Sequence, residues 1–270
     1  MTPPDEPIIP AELLLKAYRA GIFPMADSRD DPEVFWVEPR MRAILPLDGF
    51  HLSRSLARTL RRGRFTVTCN AAFDSVIDAC AAPRPDAEES WISRRIRESY
   101  RTLHAVGHAH SIETWADGRL VGGLYGVGFA RVFCGESMFS RMNDASKVAL
   151  AWLVAALRRS GAELLDCQFT TPHLASLGAV EIPQERYLDM LRHAQRPHSS
   201  VLAPDGFGVA GFGAAGWGAA GLGAAGVAAA EGADVGAVLG LPAGFAALLA
   251  EAGSSSSPGK FIAQSLTQTS

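Results

Sequence analysis

Apolar and polar positions divide the first 197 residues into alternating helical and extended stretches. In "PAELLLKAYRAGIFP", Leu13, Leu14, Ala17 and Tyr18 fall at helical spacing, and Gly21 is placed to end the helix. The same reasoning predicts helices in "LSRSLARTLRRGRF", "AAFDSVIDACAA", "SRRIRESYRTLHAVG", "DASKVALAWLVAALRRSG" and "QERYLDMLRHA". For the fifth of these helix stretches, Asp144 or Ser146 can cap the start, Arg158 and Arg159 complement the C-terminal dipole, and Gly161 ends it. "VFWVEP", "RAILPL" and "TVTCN" read as short extended runs. The stretch from Ala109 to Phe139 alternates between Asp-Gly and Gly-Gly turns, as a meander of strands does. "AELLDCQF" and a brief run near "GAVEIP" complete the strands.

The strand "LLDCQ" poses a chemical problem. Side chains alternate across a strand, so Asp166 and Gln168 share one face while Leu165, Cys167 and Phe169 share the other. Burying a carboxylate beside an amide costs free energy unless something pairs with both. That partner is either structural or a substrate.

The chain has 270 residues, enough for one large domain or two small ones, and its net charge is −3. One Lys and four acids follow residue 197, so they account for the whole imbalance, and the first 197 residues are neutral. Of 25 basic residues 22 are Arg, which suits planar contact with phosphate or carboxylate. Cys69, Cys80, Cys134 and Cys167 stand apart without a CxxC pair, as expected of reduced core residues in a cytoplasmic protein. The N-terminal "MTPPDEPIIP" predicts no signal peptide.

After Pro197 the composition changes. A five-residue repeat runs from 211 to 230, matching neither the helical nor the strand period. The uncharged stretch 206–230 is long enough to raise a membrane span, but it holds nine Gly, ten Ala and six bulky apolar residues. Gly and Ala contribute little transfer free energy, so no membrane association is expected. The extension 198–270, rich in Gly, Ala and Ser, reads as a flexible or weakly helical appendage.

Three clusters carry candidate chemistry. Arg54, Arg58, Arg61, Arg62 and Arg64 lie on a helix without an acid, which is either a solvated face or a phosphate-binding one. His104, His108 and His110 lie close in sequence, yet no HExxH or Cys pair supports a metal site, so structural histidines are expected. In "FCGESMFSRMNDASK", Glu136 and Met138 share a face if the run is a regular strand. Trp36 and Trp91 lie on loops or element edges, where they either pack or stack on an unpaired base.

The ordered motifs "AYRAGIFP", "FWVEPR", "LHAVGHAHSIETW", "LVGGLYGV", "GESMFSR" and "DCQ" closely resemble the bacterial leucyl/phenylalanyl-tRNA–protein transferase family over roughly residues 11–193. The resemblance implies an α+β fold. A small N-terminal domain (1–49) precedes a GNAT-like catalytic domain (50–197) with a mixed, mainly antiparallel sheet flanked by helices, and the low-complexity tail lies outside the pattern. It implies transfer of Leu or Phe, and less well Met, from aminoacyl-tRNA to the α-amine of an N-terminal Arg or Lys, which marks the acceptor for degradation. Asp166 and Gln168 would then form the reaction centre, with Glu136 placing the aminoacyl end. Met138, Phe133 and Leu157 would line the side-chain pocket, Leu157 replacing an aromatic of some relatives. Trp36 and Trp91 would meet the terminal adenosine, and the five arginines the acceptor stem. The ester is already activated, so no cofactor, ATP or metal is expected, and the partners are tRNA and protein N-termini, not DNA. Two alternatives stay open: an acyl-CoA-dependent N-acetyltransferase, although the loop "FSRMNDASK" lacks the glycines a pyrophosphate needs, and a tRNA-binding protein without catalysis.

Overall fold

The computed structural model describes residues 7–83, 90–197, 238–253 and 257–267; the repeat at 211–230 and the uncharged stretch 206–230 lie outside them. The chain begins with α1 (Ala11–Arg19), followed by β1 (Phe23–Met25) and β2 (Phe35–Val37), which pair as a separate antiparallel ribbon. Next come β3 (Met41–Ile44), α2 (Arg54–Arg61), β4 (Thr66–Cys69), α3 (Phe73–Ala81) and α4 (Arg94–Ala105). The meander is β5 (Ala109–Ala116), β6 (Arg119–Phe129) and β7 (Val132–Ser140). Then α5 (Ala145–Arg159), β8 (Leu164–Gln168), α6 (Pro172–Ser176), β9 (Val180–Pro183) and α7 (Gln184–Ala194) follow. The C-terminal part adds α8 (Leu241–Gly253) and α9 (Pro258–Ser265).

Seven strands form one sheet in the order β4-β5-β6-β7-β8-β3-β9. Only β7 and β8 run parallel, which requires the crossover that α5 supplies. The architecture is therefore α+β with a mixed, mainly antiparallel sheet flanked by helices, as expected. Among the described residues, no helix is long and apolar enough to cross a membrane.

Helix α5 is apolar nearly all round and is buried from Ala145 to Leu157 against one sheet face. Its close approach depends on Gly122 of β6, where a Cβ would come within 2.6 Å of the Ala145 Cβ. The expected capping of this helix differs in detail. Asp144 is at the N-cap position with a φ of 67°, but its side chain makes no capping bond. Instead its Oδ2 accepts from Thr59 Oγ1 at 3.0 Å, and Ser140 Oγ accepts from the Ser146 amide at 3.3 Å. The opposite sheet face is covered by α3 and α4, where Val76 approaches Gly123 and Tyr100 packs edge-on against Tyr125.

The segment expected as a small N-terminal domain contributes β3 to the large sheet, between β8 and β9. The extension, expected as a flexible or weakly helical appendage, includes α8 and α9, which pack on α5 and α2. Leu241, Phe245, Leu248 and Ala252 form a buried stripe on α8, and Ile262 and Ala263 are buried on α9. Phe245 meets Trp152 at 5.6 Å between ring centroids, and Arg158 donates from Nη1 to the Ser265 carbonyl at 3.0 Å. This apolar stripe has helical spacing, and burying it stabilises the segment despite its Gly- and Ala-rich surroundings.

Candidate active site

Asp166 and Gln168 close β8, and both side chains enter one buried polar network with Glu136. Leu165 and Cys167 face the α5 side and join its apolar cluster. The pairing is irregular at this point: Ile44 of β3 opposes Asp166, and Ala43 opposes Gln168, so Cys167 is an extra residue. Gln168 has a φ of 62°, an unusual conformation for a residue with a side chain. It is held there because its amide N–H donates to Asp166 Oδ1 at 2.8 Å.

Asp166 has its partner within the chain. Arg42 of β3 donates from Nε to Oδ1 at 2.9 Å and from Nη2 to Oδ2 at 2.6 Å. Tyr187 of α7 adds a third bond, from its hydroxyl to Oδ2 at 2.9 Å. The Arg42 guanidinium lies between the rings of Phe23 and Tyr187, 4.7 and 4.5 Å from their centroids. Its Nη1 donates to the Gly21 carbonyl at 3.0 Å. The pair is fully buried, and every polar atom named has a partner, which is the condition for tolerating such charges.

Gln168 turns its side chain to a different acid. Its Nε2 donates to Glu136 Oε1 at 2.7 Å, and the Tyr100 hydroxyl donates to Glu136 Oε2 at 3.0 Å. Tyr18 is in hydrogen-bond contact with Tyr100. All four tyrosines of the chain therefore surround two carboxylates: Tyr187 meets Asp166, Tyr18 and Tyr100 meet Glu136, and Tyr125 faces Glu136 electrostatically. Burial pushes all four phenols up, so they remain protonated, and the Tyr125 hydroxyl is left without a hydrogen-bond partner among the described residues. Burial also raises the Glu136 carboxyl to about 7, with a further push from Asp166; bonds from Tyr18 and Tyr100 and the charge of Arg42 oppose it.

The expected shared face of Glu136 and Met138 is not observed. Tyr125 of β6 pairs with Ser137, and Gly126 with Gly135, so Glu136 is the extra residue of a bulge. The bulge turns Glu136 toward α4, while Met138 opposes Leu124 and packs into the α5-side cluster. Phe133 and Leu157 belong to that same cluster, both fully buried. Trp36 pairs across the ribbon with Pro24, and the Trp91 carbonyl accepts from the Ala26 amide at 3.3 Å. Both tryptophans therefore flank β1, whose Phe23 covers Arg42 and meets Phe169 edge-on at 5.7 Å. Arg54, Arg58, Arg61, Arg62 and Arg64 are exposed on and just beyond α2, which packs by Leu56, Ala57 and Leu60. That helix contacts α5, so the basic face and Glu136 belong to opposite layers.

The histidines hold the fold. His104 and His108 use Nδ1 on the carbonyls of Ala109 and Gly128, and His110 Nδ1 meets Asn70 Nδ2 at 3.0 Å. Among the described residues, no group of three or more His, Cys, Asp or Glu is placed to hold a metal.

Asp166 is sealed, but Gln168 and Glu136 keep 5% and 8% exposure, next to Phe169 at 46%. With Nε2 donating to Glu136, the Gln168 Oε1 is the side-chain atom that can accept a further hydrogen bond. Asp166 fixes the Gln168 backbone and not its amide. Sequence reasoning missed Arg42 and the tyrosines. The one signal for Arg42 was a lone cation inside the short apolar run "MRAIL".

The sequence matches the family model described as leucyl/phenylalanyl-tRNA protein transferase over residues 44–192, and that of its N-terminal domain over residues 9–40. A leucyl/phenylalanyl-tRNA–protein transferase of Novosphingobium aromaticivorans is 76% identical over 272 residues, covering 97% of each chain. One from Rhodopseudomonas palustris (strain HaA2) is 59% identical over 69% of this chain and 83% of its own. One from Zymomonas mobilis subsp. mobilis is 59% identical over 69% of this chain and 70% of its own. Among solved structures, L-PGS from Bacillus licheniformis aligns at a TM-score of 0.34 with 13% identity, over 59% of this chain and 53% of that one, too distant to bear on the fold. The chain belongs to the leucyl/phenylalanyl-tRNA–protein transferase family, enzymes that draw on aminoacyl-tRNA.

Proposed function

We propose that the protein moves Leu or Phe, and Met less well, from aminoacyl-tRNA to the α-amine of proteins that begin with Arg or Lys, in the cytoplasm, where the product is marked for degradation. The observation that carries this reading is the Gln168–Glu136 bond, which commits Nε2 and leaves the amide oxygen as the acceptor, next to the exposed Phe169. The reaction is aminolysis of an ester: a C–N bond forms, the bond to the ribose oxygen breaks, and one amine proton ends on that oxygen. An α-amine has a pKa of about 7.7–8.0, so roughly a tenth is free base at pH 7 and no strong base is needed to begin.

Gln168 Oε1 accepts a hydrogen bond from the attacking amine and aims it at the carbonyl carbon. Glu136 is the acid available to a cationic acceptor, because the charge of Asp166 is already matched by Arg42. The side-chain pocket is assigned to Met138, Phe133 and Leu157, which are packed on the α5 side of the sheet, so an entering Leu or Phe side chain has to displace packing there; an adaptable Met does not sharply reject other unbranched side chains. Trp36 and Trp91 offer stacking surface to the terminal adenosine, and the exposed arginines offer charge to the acceptor stem. The test is transfer of labelled Phe from charged tRNA to a peptide beginning with Arg. Transfer supports the reading. Protection of the fold by acetyl-CoA, with no transfer from tRNA, would replace it with the acetyltransferase alternative.

A further inference from the structure

We infer that the protonation of Glu136 sets which end of the Gln168 amide faces the opening, so that this pair is a switch on acceptor attack. The effect on transfer rests on the proposed function; the amide switch itself does not.

The geometry is specific about the two states. Ionised Glu136 accepts from Gln168 Nε2 on Oε1, and from the Tyr100 hydroxyl on Oε2. Tyr18 also reaches the carboxylate and touches Tyr100. In the proposed protonated state the proton resides on Oε1, opposite Gln168, while the Tyr100 hydroxyl keeps donating to Oε2. An O–H cannot face an N–H, so the amide turns over and offers its oxygen to the acid. Its NH2 group then points to the opening, where it opposes the N–H of an incoming amine and leaves it no acceptor. The backbone of Gln168 does not move, because Asp166 Oδ1 holds its amide N–H whichever way the side chain points.

Glu136 is placed to titrate in the useful range. Facing it are Tyr18 of α1, Arg42 of β3, Tyr100 of α4, Tyr125 of β6, Cys134 of its own strand and Asp166 of β8. The phenols and the thiol are pushed up by burial and stay neutral near pH 7. Arg42 is bonded to Asp166, and Tyr187 of α7 likewise serves Asp166. Glu136 is therefore the group of this cluster that changes charge near neutrality, since burial brings it to about 7.

The side-chain amide of Gln168 reports the switch directly. The chain has five glutamines, so the NH2 signals of nitrogen-15-labelled full-length protein are few, and Q168A assigns the relevant pair. We expect that pair to shift with one midpoint near pH 7, the ionised population rising about tenfold between pH 6 and pH 8. In E136Q the shift disappears. In Y100F, which removes a donor to the carboxylate, the midpoint moves up. A Gln168 signal that stays constant across this range, or one that titrates unchanged in E136Q or Y100F, overturns the proposal; if E136Q does not fold, Y100F decides. In parallel, the rate of transfer to an Arg-starting peptide, compared at equal free-amine concentration, falls about tenfold at pH 6 with charged-tRNA binding unchanged. Absence of any transfer with the amide titration intact would sink the functional reading and leave the switch standing.

Discussion

Arg42 of β3 and Asp166 of β8, 124 positions apart, meet in a two-pronged ion pair with no solvent access. The pair pins the N-terminal strand beside the end of the strand that carries Gln168. Removing one partner leaves a buried charge alone, which costs about 3–5 kcal/mol. Asp166→Ala and Arg42→Met should each lower stability by that order in urea unfolding, while the double variant recovers much of the loss. Equal and additive losses would mean that the two do not act as a pair.

Glu136 gives stability a distinct dependence on pH. Burial lifts its carboxyl from 4.5 to about 7, so the folded chain keeps a proton that the unfolded chain releases between those values. Its contribution is most favourable below pH 4.5, declines as pH rises through the window, and stays low above it. Glu136→Gln carries no charge, so its advantage over the parent should widen between pH 5 and pH 8, by up to about 3 kcal/mol. Melting temperatures at the two values measure the gap. A difference independent of pH would contradict the buried, raised carboxyl.

Gln168 separates binding from turnover. Its carboxamide touches Glu136 and the opening, and its backbone position depends on Asp166. Gln168→Ala therefore removes the aiming contact without disturbing the adenosine or stem surfaces. Single-turnover transfer should fall about 100-fold, in the range of lost positioning, while charged-tRNA affinity changes less than twofold. Parallel losses in both would place Gln168 in tRNA binding.

Much of this arrangement was legible from local pattern, and the rest depended on distant partners. Alternation placed Asp166 and Gln168 on one face, and both do enter the same buried polar network, although Cys167 is an extra residue between them and Gln168 has a φ of 62°. It failed for Glu136 and Met138, because a bulge adds a residue without any mark in the sequence. Arg42 lies in a short extended run, and nothing near it in sequence reveals an acid on another strand. The same holds for Tyr18 and Tyr100, which read as the apolar faces of two helices until their hydroxyls meet at Glu136. Helix α8 has a readable stripe, Leu241, Phe245, Leu248 and Ala252, but the Gly and Ala that precede it outweigh that signal in any compositional reading.

The C-terminal helices lead to a prediction at a single atom. Helix α9 begins against the end of α2, where a Cβ on Gly259 would come within 1.8 Å of the Leu60 carbonyl oxygen. That neighbour is backbone and cannot swing aside. Gly259→Ala should displace α9 and cost about 1–3 kcal/mol, the range for overpacking. Amide hydrogen exchange would show faster exchange at α9 and the last turn of α2, with β8 unchanged. Uniform loss of protection would mean that α9 is integral to the whole fold.

The exposed arginines of α2 allow charge and fold to be tested apart. Arg54, Arg58 and Arg61 project from the face opposite Leu56, Ala57 and Leu60, and the helix holds no acid to pair with them. Replacing Arg58 and Arg61 with Gln therefore removes charge and leaves the packed face intact, so stability should change by less than about 0.5 kcal/mol. If this face meets the phosphates of the acceptor stem, each lost contact lowers the slope of log affinity against log salt by about 1. Charged-tRNA affinity at several salt concentrations gives that slope for parent and variant. Binding should weaken equally for tRNA charged with Leu or Phe, because phosphate contacts carry no information about the amino acid. An unchanged slope in the double variant would return these arginines to an ordinary solvated face.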